Sequence, residues 1–504
     1  GSVGRRDTLT FAWVLFLIYL AGTAWLGYRG MRKTSGFSSF ALGDRAMNPI
    51  IVGITLAASV SSASTFIINP GFVYVDGWGA FFHMSIGVGI GFIVMLVLLS
   101  FQFRRIGAET SALTIPDWIG KRYKSPGFAL YFSILNLLSF AFVVLLVGGI
   151  SIVMQSLLGV SNTVALTITL VFVTGYVFIG GTYAHVLTNM LQGSLMVVVT
   201  ILVLASGIYL ALQQPGSIVD ALRAADPNLV AAVNTEGSLF NDVFSIYVAG
   251  FVVGAIVVCQ PHILTKALYV KDDRDVRTYL IVFAVIFGLF QMLGSVGFFA
   301  HVAVPPEALV DATTGAFRQD LVMTKYLATL FPAWVFTLVG VVLLAAAMST
   351  LDGLLVSMST ITANDLVLNL AERREHHDEE QQMAFALKVS HIVLVVIAIA
   401  AFLINLQPPK LLGIFGQTGV YGLTAAAAPP LLLGVLFRRV PVALVWSGSA
   451  AALVIHFTLF FKGDQWFPGS SLTFANPGVT VSVATLLVLP VLLIAAVVLN
   501  SRKA

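Results

Sequence analysis

Hydrophobic residues fall in long blocks along this chain, with the polar residues gathered between them. A membrane-crossing helix needs about 20 mostly apolar residues. Thirteen stretches meet that length: 8–28, 48–72, 79–103, 127–157, 163–181, 184–212, 242–269, 278–304, 333–368, 387–406, 410–437, 440–461 and 479–500. The pattern predicts an all-α integral membrane protein. Two of the longer connections, 213–241 and 305–332, each carry a short amphipathic pattern, at 218–225 and 321–330. The first apolar run is long enough to span and does not read as a cleaved signal, and the leading Gly-Ser reads as a tag remnant.

Composition agrees with this picture. Of 504 residues, 58% are hydrophobic and 10% charged, against about 25% charged in soluble domains. Mean hydropathy is +0.96. The net charge of +4 does not indicate nucleic acid as a partner, because membrane proteins collect Lys and Arg on cytoplasmic loops. Lipid is the expected surrounding, and no obligate protein partner is indicated. The single cysteine, Cys259, rules out an internal disulfide or a cysteine-based metal site. No soluble domain and no nucleophile–base pair is evident, which argues against an enzyme.

Charge placement orients the chain. With the N-terminus outside, the inner loops hold Arg29, Arg32, Lys33, Arg45, Arg104, Arg105, Lys121, Arg122, Lys124, Lys271, Arg274, Arg277, Arg373, Arg374, Lys388, Arg438, Arg439, Arg502 and Lys503, which is nineteen of the 27 basic residues. That asymmetry predicts N-out, C-in. The inner loop ERREHHDEEQQ (372–382) contains adjacent histidines, His376 and His377. Neighbouring residues point in different directions on a helix, so it reads as a solvated loop rather than a metal site.

Three spans contain polar groups that plain lipid-facing helices lack. The second reads GITLAASVSSASTFIINPGFVYVDG (53–77), with Ser59, Ser61, Ser62, Ser64, Thr65 and Asn69 before Pro70-Gly71. Small residues also serve close helix packing. The alternative is an interrupted helix whose freed carbonyls face a cavity. The seventh carries Pro261 in mid-span, flanked by Gln260 and His262, and proline removes a backbone donor. His262 is either a buried, hydrogen-bonded histidine or part of a gate. Lys266, four residues on, shares its face and is placed to snorkel to the cytoplasm.

Spans two and seven lie five apart, the spacing of a five-plus-five inverted repeat whose first helices are discontinuous. The whole chain then reads as one transporter domain, 1–504, with repeats at 48–212 and 242–437 and peripheral helices at 8–28 and 440–500. The ninth span completes the set. Ala346, Ser349 and Thr350 fall at i, i+3 and i+4 and share one face. Opposite freed carbonyls of span two they would make a five-oxygen site for a small hard cation; the alternative is that both hydroxyls bond back to their own helix. On the same helix Asp352 is an acid near the membrane midplane, costly there unless paired, hydrated or ion-bound.

The chain resembles the sodium:solute symporter family. The resemblance rests on FALGDRAM (40–47), the second-span segment, IGGTYAHVLTNMLQG (179–193), CQPHILTKALYVKD (259–272) and AAAMSTLDGLL (345–355), and it covers essentially the whole chain. It implies a LeuT-type fold, a bacterial inner-membrane location, and alternating access driven by sodium. By position it implies a sodium site from the carbonyls of Ala57, Val60 and Ala346 and the hydroxyls of Ser349 and Thr350. It further implies a solute site from Ser61, Ser62, Ser64, Thr65 and Asn69 of span two and Val253, Val257 and Gln260 of span seven, with Phe142, Gln417 and Tyr421 added from spans four and eleven.

Two departures stand out. Many relatives carry Asp where this chain has Asn189, whereas here an acid, Asp352, stands on span nine. A negative charge moved across one site would bind a second cation or take up a proton; the alternative is that Asp352 faces water in the inner vestibule. Proline-type carriers have aromatic residues where this chain has Val253 and Val257. That feature argues against a proline-shaped pocket and for a longer solute, while the general look of spans two, six and seven and the PPK turn at 408–410 resemble the pantothenate and monocarboxylate branches. The expected cargo is sodium plus a small organic carboxylate. An amino-acid or sugar symporter and a transporter-like sensor module are the alternatives.

Overall fold

The computed structural model describes residues 2–62, 64–372, 378–409 and 412–501. Arg373, Arg374, His376, His377, Lys410, Arg502 and Lys503, used above for orientation, loop and turn assignments, lie outside the described residues.

Among the described residues ten helices are long and apolar enough to cross a membrane, and two bent helix pairs bring the total to twelve. The thirteenth crossing lies inside the longest helix. Asn162–Gln213 covers 52 residues, enough for two crossings at about 20 residues each. It turns at Gly181, where φ is 50° and ψ −134°. A side chain there would sit 2.5 Å from the Phe40 ring, so both the backbone conformation and the close approach require glycine. Spans five and six of the sequence pattern are thus two helices that meet at a glycine corner.

Hydropathy underestimates several lengths. The third span extends to Thr110 in Trp78–Thr110 because Arg104 and Arg105 stay helical while both bond Asp273. Ile218–Ala225 forms as the amphipathic pattern indicates. The second amphipathic stretch begins as a 3₁₀ turn and is α-helical over Val322–Leu330.

Both expected breaks occur. Pro49–Val60 and Ser64–Asp76 meet at 56°, and Phe244–Val257 and Pro261–Tyr269 at 62°. In the first, serine replaces the helical ladder: the Ser64 N–H donates to Ser62 Oγ at 3.2 Å and the Thr65 N–H to the Ser62 carbonyl at 3.1 Å. In the second, Gln260 is extended at ψ 136° and Pro261 is the first residue of the second half. Pro261 therefore does not kink a continuous helix. It starts a new one, where its missing N–H costs nothing.

The broken helices are packed in exchange. Pro49–Val60 lies on Asp273–Gln291, and Ala249–Val257 lies on Val88–Thr110. The first helix of each half is thus seated on the second helix of the other. Contact is close enough that a Cβ on Gly254 would be 2.1 Å from the Val88 carbonyl, and one on Gly91 2.1 Å from that of Phe251; small residues permit such approach. The ninth span, Ala333–Leu368, is buried along most of its length, packed between Asn162–Gln213 and Ser139–Leu158.

Candidate functional site

A cavity of about 910 Å³ opens where the two breaks face each other. Among the residues singled out from sequence, Val60, Ser62, Ser64, Thr65 and Asn69 of span two line it, as do Val253, Val257, Gln260 and His262 of span seven. Ser59, Phe142, Thr350, Gln417 and Tyr421 complete that group. Ser61 does not belong to the wall. It is fully buried, with a hydroxyl that has no partner. Much of the remaining lining is apolar, including Phe92, Phe287 and Phe336.

Seven polar lining residues were missed: His83, Ser156, Gln291, Gln319, Asp320, Thr324 and Asn476. His83 and Gln291 are single polar positions inside otherwise apolar runs, and that isolation was the available signal. Asn476 has none, because it precedes the last span, which pattern alone placed at the periphery. The start of Pro477–Ser501 instead reaches the cavity through Pro477 and Gly478, and its Ser482 hydroxyl contacts the Ala249 carbonyl at 3.3 Å.

One of the cation-site candidates, Ser349, contacts the first half of the broken second span. Ser349 Oγ lies 2.7 Å from the Ala58 carbonyl and 2.6 Å from that of Ala346. The hydroxyl ties span nine to span two one residue beyond Ala57. The Ala57 carbonyl accepts the Ser61 N–H at 3.0 Å and the Val60 carbonyl that of Ser62 at 3.1 Å; each keeps a second lone pair. Thr350 does not bond back to its own helix. Its hydroxyl is buried without a partner, and so is that of Ser61. Unpartnered buried hydroxyl oxygens and carbonyls with spare lone pairs are the donor types a small hard cation takes.

Asp352 lies on another face of the same helix and does not meet vestibule water. It is fully buried, and both of its oxygens are occupied. Tyr176 donates to Oδ2 at 2.7 Å, and the Thr188 hydroxyl reaches the same atom at 3.2 Å. His185 Nδ1 is 2.5 Å from Oδ1, while Asn189 Nδ2 is 2.9 Å and 3.1 Å from the two oxygens. The pairing of Asn189 with Asp352 inferred across spans six and nine is therefore a direct contact. Tyr176 and His185 were not foreseen. His185 Nε2 and Asn189 Oδ1 have no partner.

The expected gate residues behave differently from one another. His262 is buried and lines the cavity, and its Nδ1 is unpartnered, so the hydrogen-bonded alternative does not hold for that nitrogen. Lys266 does not snorkel. It is 1% exposed because the tight turn at Thr265–Tyr269 folds it back, its ammonium donating to the His262 carbonyl at 2.6 Å and lying 5.5 Å from the Tyr269 ring centre.

The chain is similar to known proteins in sequence and in fold. Residues 40–447 match the profile of the Sodium:solute symporter family. The sodium/pantothenate symporter of Haemophilus influenzae is 28% identical over 431 residues, covering 84% of this chain and 85% of that protein. The sodium/proline symporter of Escherichia coli is 26% identical over 452 residues, covering 88% and 85%. The solved structure of a Na⁺-coupled sialic acid symporter superposes with a TM-score of 0.73 at 17% identity, covering 98% of both chains; the likeness is one of fold, LeuT-type with five-plus-five inverted repeats. This chain belongs to the sodium:solute symporter family, and it is a multi-pass membrane transporter coupling a small solute to sodium, not an enzyme.

Proposed function

We propose that the chain imports a small organic carboxylate, of pantothenate or monocarboxylate type, together with sodium across a bacterial inner membrane, with its N-terminus outside and C-terminus cytoplasmic. Sodium would be held by the carbonyls of Ala57, Val60 and Ala346 and the hydroxyls of Ser349 and Thr350. The observation that carries this is the unpartnered, buried Thr350 hydroxyl at the cavity wall beside the broken second span. A cation there would neutralise part of a carboxylate's charge. Freed amides and the hydroxyls of Ser62, Ser64 and Thr65 would supply its hydrogen bonds. Val253 and Val257 leave room for a solute longer than proline.

The two repeats would span 48–212 and 242–437, a division supported by the exchanged packing of their first and second helices. Asp352 and Asn189 would form a second cation or proton site, and Pro261, His262 and Lys266 an inner gate. Asp352→Asn should change ion stoichiometry or pH dependence; unchanged coupling would exclude that role.

A proline-type cargo is the second reading, favoured by the 26% identity to the proline symporter. Purified protein in liposomes separates the two. An inward sodium gradient should drive accumulation of labelled pantothenate or a monocarboxylate above its outside concentration. Accumulation of proline alone would reverse the assignment, and flux without accumulation would indicate a channel.

A further inference from the structure

Span two ends in an acid with no role in ion or solute binding. Asp76 is fully buried, and its partners are backbone N–H groups and one hydroxyl rather than a cationic side chain. Ser238 N–H donates to Oδ1 at 2.9 Å, while Leu239 and Phe240 N–H donate to Oδ2 at 3.2 Å and 3.3 Å. The Ser238 hydroxyl lies 3.3 Å from both oxygens. A carboxylate that gathers consecutive amides in this way fixes the path of the backbone that carries them.

That backbone borders the cavity. Leu239 and Phe240 both line it. The Phe240 ring meets Phe72 of span two edge-on at 6.0 Å and lies 4.6 Å from His83 of span three. From the opposite side Asn476, ahead of the last span, donates to the Leu239 carbonyl at 3.0 Å, and the Thr473 hydroxyl reaches Asn241 Oδ1 at 3.3 Å. Residues 238–240, a short strap of backbone, therefore lie at one end of the cavity and are tied at both edges, to the second half of a broken helix and to the loop ahead of the last span.

We propose that this strap is a gate over the outward end of the cavity, with Asp76 its latch and Asn476 its second anchor. Asp76 is a positioning residue. It acts through Leu239 and Phe240, and it lies on the half-helix Ser64–Asp76, which meets the other half at 56°. Tilting of that half-helix withdraws the carboxylate from three amides at once, which frees the strap and opens the cavity. Closure remakes the same bonds without any group changing its charge.

The test measures access and does not depend on which solute is carried. In the full chain with Cys259→Ala, Met84→Cys places a single thiol on the cavity lining. Its modification by a membrane-impermeant maleimide is followed in intact cells, in sodium and without added solute. Adding Asp76→Asn, which puts an NH₂ where an acceptor stood, should raise the labelling rate about tenfold. Adding Asn476→Ala should raise it about threefold, and Asp76→Glu should return it toward the parent value. A merely structural role would lower expression or melting temperature without this graded change in access. Rates within twofold of the parent in both Asp76→Asn and Asn476→Ala overturn the proposal. If Asp76→Asn does not fold, the rate in Asn476→Ala decides.

Discussion

One turn of the ninth span carries two polar groups with opposite circumstances. The Thr350 hydroxyl is buried at the cavity wall with no partner. Asp352, two residues on, is buried with both oxygens occupied by groups from spans five and six. An unmet oxygen costs free energy unless something outside the chain meets it, whereas a saturated carboxylate holds helices together. Depth in the membrane does not distinguish the two groups; their partners do. An intramembrane acid carries a functional reading by default; the neutral hydroxyl beside it differs in having no partner within the chain.

The contrast can be broken at several points. Asp352→Ala should be the most damaging change, because it strands Tyr176, Asn189 and His185. We expect a loss of about 4 kcal/mol, seen as a large drop in melting temperature in detergent with or without sodium. Asn189→Asp sets a second carboxylate against the first and should cost about 3 kcal/mol. The double change Asn189→Asp with Asp352→Asn should recover most of that, since the charge then lies on span six; failure of the pair to recover would mean that position, not charge balance, matters. Thr350→Val should leave the melting temperature without sodium nearly unchanged and weaken the sodium-dependent rise. A loss of one ligand worth about 1.4 kcal/mol is a tenfold shift in the half-saturating sodium concentration. Gly353→Ala is the mildest. Its new methyl would lie 2.9 Å from the His185 ring, and a cost of about 1 kcal/mol, at the low end for overpacking, should appear as a small melting shift that His185→Ala abolishes.

Much of this was legible in the sequence, and the limits have physical causes. Span existence follows from hydropathy because a bilayer admits only long apolar helices. Both breaks were visible, one from clustered hydroxyls at Ser59–Thr65 and one from Pro261. What failed was direction around a helix axis. In a span apolar on every side, periodicity does not say which face meets which neighbour. Hence Tyr176 and His185 could not be assigned to Asp352, Lys266 was sent to the cytoplasm when it folds inward, and the last span was set at the edge when Asn476 reaches the cavity. The Asn189–Asp352 contact was found only because family resemblance supplied a position that local pattern does not encode.

The exchanged packing also constrains how the protein is made. The partner of Pro49–Val60 is Asp273–Gln291, which leaves the ribosome only after every span of the first repeat has been inserted. Until then the serine-rich break waits in the bilayer without the surface it was shaped for. The nascent first repeat is thus an unfinished half whose least lipid-compatible segment is also its functional one. A chain released before residue 273 should be recognised as damaged and degraded, so completion of the eighth span is the point at which the transporter becomes a stable resident of its membrane.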